Sequence, residues 1–513
     1  EGVMKGQSKP ESGEEVTAEE QIEQIGFGRF QMIAVVAFVC FIVADGMELV
    51  VTNITWSVLP RDEWGASDYA RGVLVSVSFF GFVLGALIGG FTGDVYGRLP
   101  LLYAHSIIFI PTSVVSALSQ SLLQLVVTRF IVGVSMGLVL PTAVSMISEF
   151  TPQAYRGRAV ILLPGIAYTL GQVLVLLLGI GLISTYGYHC LDCQWWRWML
   201  LAGIVPDLTG IVLVYLYIPE SPRFLLYQGK LDKVAEVLKE MSEINGTSEK
   251  LVNGGRCKAL GDGEELVDLW KSTQELCAEP LVRTVPLAVL TWCFLSVTLF
   301  TQVFMWPIYV ETLGFDHVTQ YWLMTLVALV EIPGVILLLL LVDARESAGK
   351  ESAGKESASS QPQLFLGRRM LTFYLAAASV CALLLHLFLR MQGPIGKIIG
   401  NVLLRLFSVL PYEMMYLYVA ERVPTSHRNI SLSLGNASTK LIAGILPLAL
   451  LPLKEVNESA PFVLALVCAF SGAVLVWVSP EVQSVLTDSA PQVVSETYKL
   501  RLSEKNPLLA KQQ

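Results

Sequence analysis

QMIAVVAFVCFIVADGMELVVTNITWSVL, from Gln31 to Leu59, decides the class of fold. Asp45 and Glu48 are its only charged side chains. A helix crossing the hydrocarbon core of a bilayer needs about 20 mostly apolar residues, and this run exceeds that. It starts too late and runs too long for the core of a secretion signal, and no small-residue cleavage site follows it. It therefore reads as a retained membrane-spanning helix.

The same pattern recurs along the chain. Further spans are expected near 70–92, 99–119, 123–148, 159–184 and 196–218, then near 284–310, 320–342, 370–390, 394–420, 433–453 and 460–479. Of the 513 residues 53% are hydrophobic and only 15% charged. A soluble domain carries about 25% charged residues, so this composition belongs in lipid. The expected architecture is all-α and polytopic, with twelve transmembrane helices in two six-helix bundles. Polar stretches set the organisation: a tail over 1–29, a bundle over 30–218, a central loop over 219–283, a second bundle over 284–480 and a tail over 481–513. ESAGK at 346–350 repeats at 351–355, followed by ESASS, so 345–366 reads as a disordered insertion in the second bundle.

Lysine and arginine placement gives the orientation. The central loop holds Arg223, Lys230, Lys233, Lys239, Lys250, Arg256, Lys258 and Lys271, and Arg98, Arg156, Arg158, Arg368, Arg369, Arg422 and Arg428 fall on the same side. The opposite loops hold far fewer. Both tails and the central loop are expected in the cytoplasm.

Several function classes drop out. There is no basic stripe to hold nucleic acid. No Gly-Lys pair completes a phosphate-binding loop, and no metal cluster, nucleophile elbow or dinucleotide fingerprint is present. The chain is expected to be no enzyme and to need no cofactor; an ion gradient must supply any driving energy. Cys190 and Cys193 share one short polar loop, either as plain thiols or as a disulfide. Of the asparagine sequons, Asn457 is the best placed for a glycan.

The two halves echo each other. EFTPQAYR, Glu149 to Arg156, ends the fourth span; ERVPTSHR, Glu421 to Arg428, ends the tenth. Arg129 and Arg405 lie upstream in those spans. Asp94 then Gly97-Arg98 follow the second span, and Asp343 then Gly367-Arg368 flank the insertion after the eighth. Duplicated bundles related by an axis along the membrane normal leave a cavity between them, where a solute sits near the midplane. The repeated Asp, Gly, Glu and Arg groups (Asp94, Gly97, Arg98, Glu149, Arg156, Asp343, Arg368, Glu421 and Arg428) are then expected to act as a conformational latch.

These residues carry a family resemblance. Gly90-x-x-x-Asp94-x-x-Gly97-Arg98 and RFIVGVSMG from Arg129 are similar to signature motifs of the major facilitator superfamily. WWRWM at Trp195 and PESPRFL at Pro219 resemble its sugar-porter and organic-ion branches. IGFGRFQ at Ile25, ADGMELV at Ala44 and VEIPGVILLLLLVD at Val330 resemble the synaptic-vesicle-two-related, SVOP-like proteins. Val95, Leu99 and Pro100 depart from the signature loop, and the insertion splits its second copy. The resemblance implies twelve helices and alternating access.

Charged groups inside spans cost about 2.5–3.5 kcal/mol each on insertion scales, so each needs a reason. Asp45, Glu48, Arg129, Glu331 and Glu413 are candidates for binding a solute or a coupling proton, or for a buried ion pair that fixes packing. Trp306 and Tyr309, with Gln302, share one side of the seventh span, and Tyr416, with Tyr412 and Tyr418, lies on the tenth. Such aromatics line a solute pocket or serve as core. Lys440 reads as a lysine at the start of the eleventh span that snorkels to the cytoplasmic surface. His105 and His386 read as hydrogen-bonded packing residues. Glu504, Leu508 and Leu509 resemble an acidic dileucine signal read by a clathrin adaptor, which would place the protein in endosomes, lysosomes or vesicles rather than the plasma membrane. Two functions fit: a transporter of a small organic ion, driven or not by protons, or a vesicle-membrane binding protein that kept the fold and moves nothing.

Overall fold

The computed structural model describes residues 16–60, 64, 67–188, 194–251, 281–341, 368–422 and 425–479. Asp343, Cys190, Cys193, the insertion over 345–366 and the signal at Glu504, Leu508 and Leu509 lie outside them.

Among the described residues, twelve helices are long and apolar enough to cross a membrane: α1 (Arg29–Thr55), α2 (Tyr69–Gly90), α3 (Leu99–Ala117), α4 (Leu122–Phe150), α5 (Tyr155–Tyr186), α6 (Trp196–Tyr217), α7 (Val285–Glu311), α8 (His317–Leu341), α9 (Met370–Arg390), α10 (Pro394–Val419), α11 (Ser431–Val456) and α12 (Ala460–Val478). The chain is thus an integral, multi-pass, all-helical membrane protein. Local chemistry sets helix ends. Asp316 caps α8, and the Thr319 hydroxyl and amide, both bonded to it, hold its carboxyl below the ordinary aspartate range. Within α5 the backbone widens into a π turn at Leu163–Ala167. Pro164 has no N–H to donate there, and its ring displaces the preceding carbonyl.

The packing repeats when every label is advanced by six. Helix α1 packs on α5 and α6 as α7 packs on α11 and α12; α3 packs on α4 as α9 packs on α10. The halves meet along two related seams, α2 against α11 and α8 against α5. In the first half, α2 and α4 approach closely because glycine faces backbone. A Cβ added at Gly133 would lie 2.0 Å from the Ser78 carbonyl, and one at Gly85 would lie 2.0 Å from that of Val134. Lipid offers no hydrophobic drive for helix association, so such close contact is what holds spans together.

One face of the bundle carries a collar. Residues Ala18–Ile25, inside the stretch read as a polar tail, form a helix capped by Thr17 and Glu20, with Ala18, Ile22 and Ile25 buried. That spacing puts the three on one face. The helix packs on Leu231–Asn245 of the central loop, which also folds. Asn245 accepts from the Phe30 amide at 2.8 Å and donates to Gln31 at 2.9 Å, and Gln31 donates to the Phe150 carbonyl at 3.2 Å. The collar therefore ties α1 to α4. Below, "far face" means the end opposite this collar.

Candidate functional site

Between the halves, a cleft is lined by Glu48 and Thr52 of α1, Phe79 and Phe82 of α2, Tyr168 of α5 and Lys440 of α11. Lys440 was expected at a surface. Its side chain is instead buried, 5% exposed, with the ammonium 5.3 Å from the Phe82 ring centre, 5.4 Å from Tyr168 and 4.9 Å from Phe300. Its membrane span begins at Ser431, close to the expected 433. Nine residues at 1.5 Å each put Lys440 about 14 Å into the span, and its side chain turns in to the rings and not out to the surface. Among the described residues no carboxylate lies within 4.0 Å of its nitrogen. The aromatic faces solvate the cation by its attraction to their π clouds.

The other charged groups fall into pairs and orphans. Glu48 pairs with Arg129 of α4, whose Nε also donates to Ser116 at 2.9 Å. Glu331 pairs with Arg405 of α10. This second pair reaches across the seam, because Arg405 donates to Gln172 of α5 at 3.0 Å and Thr169 donates to Glu331. Asp45 has no exposed surface, and neither carboxylate oxygen has a hydrogen bond among the described residues. Glu413 is buried, and its Oε2 has no hydrogen bond among the described residues. Asp45 and Glu413 are the carboxylates within electrostatic reach of Lys440.

The aromatic candidates separate. Trp306 lines a second cleft with Gln172, Gln302 and Arg405. The Trp306 indole N–H, the Tyr168 hydroxyl and Gln302 Oε1 have no protein partner among the described residues. Buried polar atoms of this kind find solvent or solute. Tyr309, one turn on, donates to the Glu458 carbonyl and lies under Arg390, at the far-face rim. Tyr416 packs edge-on to Trp292 and donates to Asn436 at 3.2 Å, inside the second half.

The far face is closed. Arg71 of α2 holds Asn53 of α1 at 2.8 Å and Glu311 of α7 at 3.2 Å, while Asn53 donates to the Phe304 carbonyl at 3.1 Å. Tyr321 of α8 donates to the Ile54 carbonyl at 3.1 Å. Arg71→Ala should shift the population toward opening at this face. Loss of a charge-assisted bond set costs about 1.5–3 kcal/mol, or roughly ten- to a hundredfold in that equilibrium. Faster labelling of a cysteine placed at Thr52 by a membrane-impermeant reagent would report it; an unchanged rate would contradict the gate.

At the collar face, Glu220 accepts the amides of Arg98 and Leu99, both at 3.1 Å, beside the positive-φ turn at Gly97. Arg98 lies 3.6 Å from Glu149, and the half-buried Arg156 is within electrostatic reach of Glu149. Arg98 and Glu149, two of the residues expected in the latch, are thereby neighbours. The side chains of Asp94, Arg368, Glu421 and Arg428 lie outside the described ones.

The sequence reading did not single out Asp207, Gln172, Thr169 or the Arg71–Glu311 pair. Asp207 is the one carboxylate in the apolar block over 196–218, the same kind of signal that marked Asp45. Of the two histidines, His105 bonds at both ring nitrogens, whereas neither nitrogen of His386 has a partner among the described residues; its ring packs on Phe462 instead.

A family model described as sugar (and other) transporter matches residues 31–345. The chain belongs to that family, within the major facilitator superfamily. This family member is similar to the 4-hydroxybenzoate transporter PcaK of Acinetobacter baylyi, 30% identical over 45% of this chain and 49% of the relative. It is also similar to the synaptic vesicle 2-related protein of Xenopus laevis, 30% identical over 44% of this chain and 39% of the relative. The chain thus spans about half or less of the length of these curated relatives. A solved structure of the proton:xylose symporter XylE shares the fold, with a TM-score of 0.66 at 18% identity, over 91% of this chain and 98% of that one.

Proposed function

We propose that this protein carries a small organic acid, as its carboxylate, across a membrane by alternating access together with a proton. One observation carries the reading: Lys440 is a buried cation at the interface of the halves, ringed by aromatic faces, with no carboxylate of the described residues within 4.0 Å of its nitrogen. An unpaired buried charge is costly, and a solute carboxylate would offset that cost. The rings around it suit a flat apolar body more than a sugar, whose hydroxyls need many hydrogen-bonding partners. A relative named for 4-hydroxybenzoate supports the class. Asp45 and Glu48 remain the proposed coupling groups on α1, and Glu331, Arg405 and Trp306 the opposing wall. With the basic collar in the cytoplasm, the closed far face is the outer one.

The test is uptake into proteoliposomes under an imposed pH gradient, comparing labelled 4-hydroxybenzoate, nicotinate and xylose. The aromatic carboxylates should accumulate and xylose should not. Accumulation of xylose alone would overturn the reading. The competing function, a membrane protein that moves nothing, predicts no flux for any of them.

A further inference from the structure

His105 of α3 sits between two acceptors. Its Nδ1 lies 2.8 Å from the Ser135 carbonyl of α4, and its Nε2 lies 2.8 Å from Oδ1 of Asp207 of α6. A carbonyl only accepts, so Nδ1 carries a hydrogen. A neutral imidazole would then point a lone pair at a carboxylate oxygen across 2.8 Å, which is repulsive. A proton therefore lies between Nε2 and Oδ1, either as imidazolium with carboxylate or as imidazole with carboxylic acid. In both forms the pair is neutral overall. Removing that proton leaves a net negative charge on two side chains with no exposed surface, against the rings of Phe41 and Phe109. Asp207 Oδ2 has no hydrogen bond among the described residues, so the carboxyl keeps a second oxygen open to a proton.

We propose that His105 and Asp207 form a proton-binding site within the first bundle, separate from the solute cleft, and that its proton is the one exchanged during transport. The proposal rests on the proton-coupled reading above. Among the described residues, the charged group outside the pair that lies within its electrostatic reach is Asp45 of α1, which also feels Lys440 and Glu48, and Asp45 is the acceptor in this proposal. Asp45 makes no hydrogen bond to the pair among the described residues, so the transfer runs through solvent admitted as the halves move: the bond from hydrogen to Nε2 or Oδ1 breaks and an O–H bond forms on the deprotonated Asp45. The pair becomes negative, Asp45 becomes neutral, and no charge is created or lost. Asp45 stands one turn before Glu48, which lines the cleft, so the proton then reaches the place where solute binds.

Asp207→Asn keeps the shape and a hydrogen-bonding oxygen but has no titratable proton. In proteoliposomes this variant should still exchange labelled 4-hydroxybenzoate for unlabelled, and should lose accumulation driven by the pH gradient. Its exchange rate should also stop varying between about pH 6 and 8, the range in which imidazole chemistry responds. Accumulation equal to the unaltered protein's would overturn the proposal. So would joint loss of exchange and thermal stability in both Asp207→Asn and His105→Gln, which is the signature of a packing role. A readout independent of solute separates this from the functional reading: acid-minus-alkaline infrared difference spectra of the purified protein. They should contain a carboxyl or imidazolium band that Asp207→Asn removes, even if no carboxylate is carried. An identical difference spectrum in the variant would contradict the site.

Discussion

Lys440→Met abolishes carboxylate uptake while leaving the protein at least as stable as before. The two consequences have separate causes. Methionine has nearly the length of lysine and packs against Phe82, Tyr168 and Phe300 without needing solvation. Exchanging a buried ion for an apolar group of similar volume is neutral or stabilising, so the melting temperature holds or rises. The solute, however, loses its counter-charge. Truncating one partner of a buried, hydrogen-bonded charge pair costs about 2–5 kcal/mol, at least roughly thirtyfold in affinity. Lys440→Arg should restore part of the binding, because the charge returns in a broader, planar form. Uptake and thermal melting measured on the same preparations check this. Lost uptake with an equally lost fold would mean that Lys440 is only a structural cation.

Arg129→Met should behave in the opposite way. It removes the counter-ion of Glu48, whose side chain is buried beside it at 2% exposure. Breaking one side of a buried pair costs about 3–5 kcal/mol, because the remaining charge is stranded. The variant should melt markedly lower and express poorly. Adding Glu48→Leu should return most of that stability, since both charges are then gone, but not transport. Non-additivity of this kind is what a double-mutant cycle measures. Thermal melting followed by size-exclusion fluorescence is sufficient, and a double variant no better than the single one would refute the pairing.

These contrasts show which parts of the molecule were legible in its sequence. Span number and the two-bundle repeat were readable, because lipid enforces long apolar runs and duplication leaves Glu149–Arg156 and Glu421–Arg428 in step. Charges inside spans were visible as exceptions. Their partners were not: Glu48 meets Arg129 from 81 residues away, and Arg405 reaches Gln172 across 233. Helical spacing gives a face but not a depth. Gln302, Trp306 and Tyr309 share a side of α7, yet Trp306 lines a cleft and Tyr309 reaches the rim. Lys440 was misplaced for the same reason: the span start was legible, but not that its side chain turns inward to Phe82, Tyr168 and Phe300. The fold of Ala18–Ile25 was written in its cap and spacing but obscured by the polar composition around it.

Transport of this kind requires the two halves to exchange exposure around Lys440. Spin labels at Ser67 and Thr312 report the far face, and labels at Tyr96 and Leu341 report the collar face. Electron–electron distance measurement in lipid nanodiscs, with and without 4-hydroxybenzoate, should show two populations at each face. The far-face distance should lengthen as the collar-face distance shortens, and the solute should change both together. A single unvarying distance at both faces, with the carboxylate bound, would contradict it.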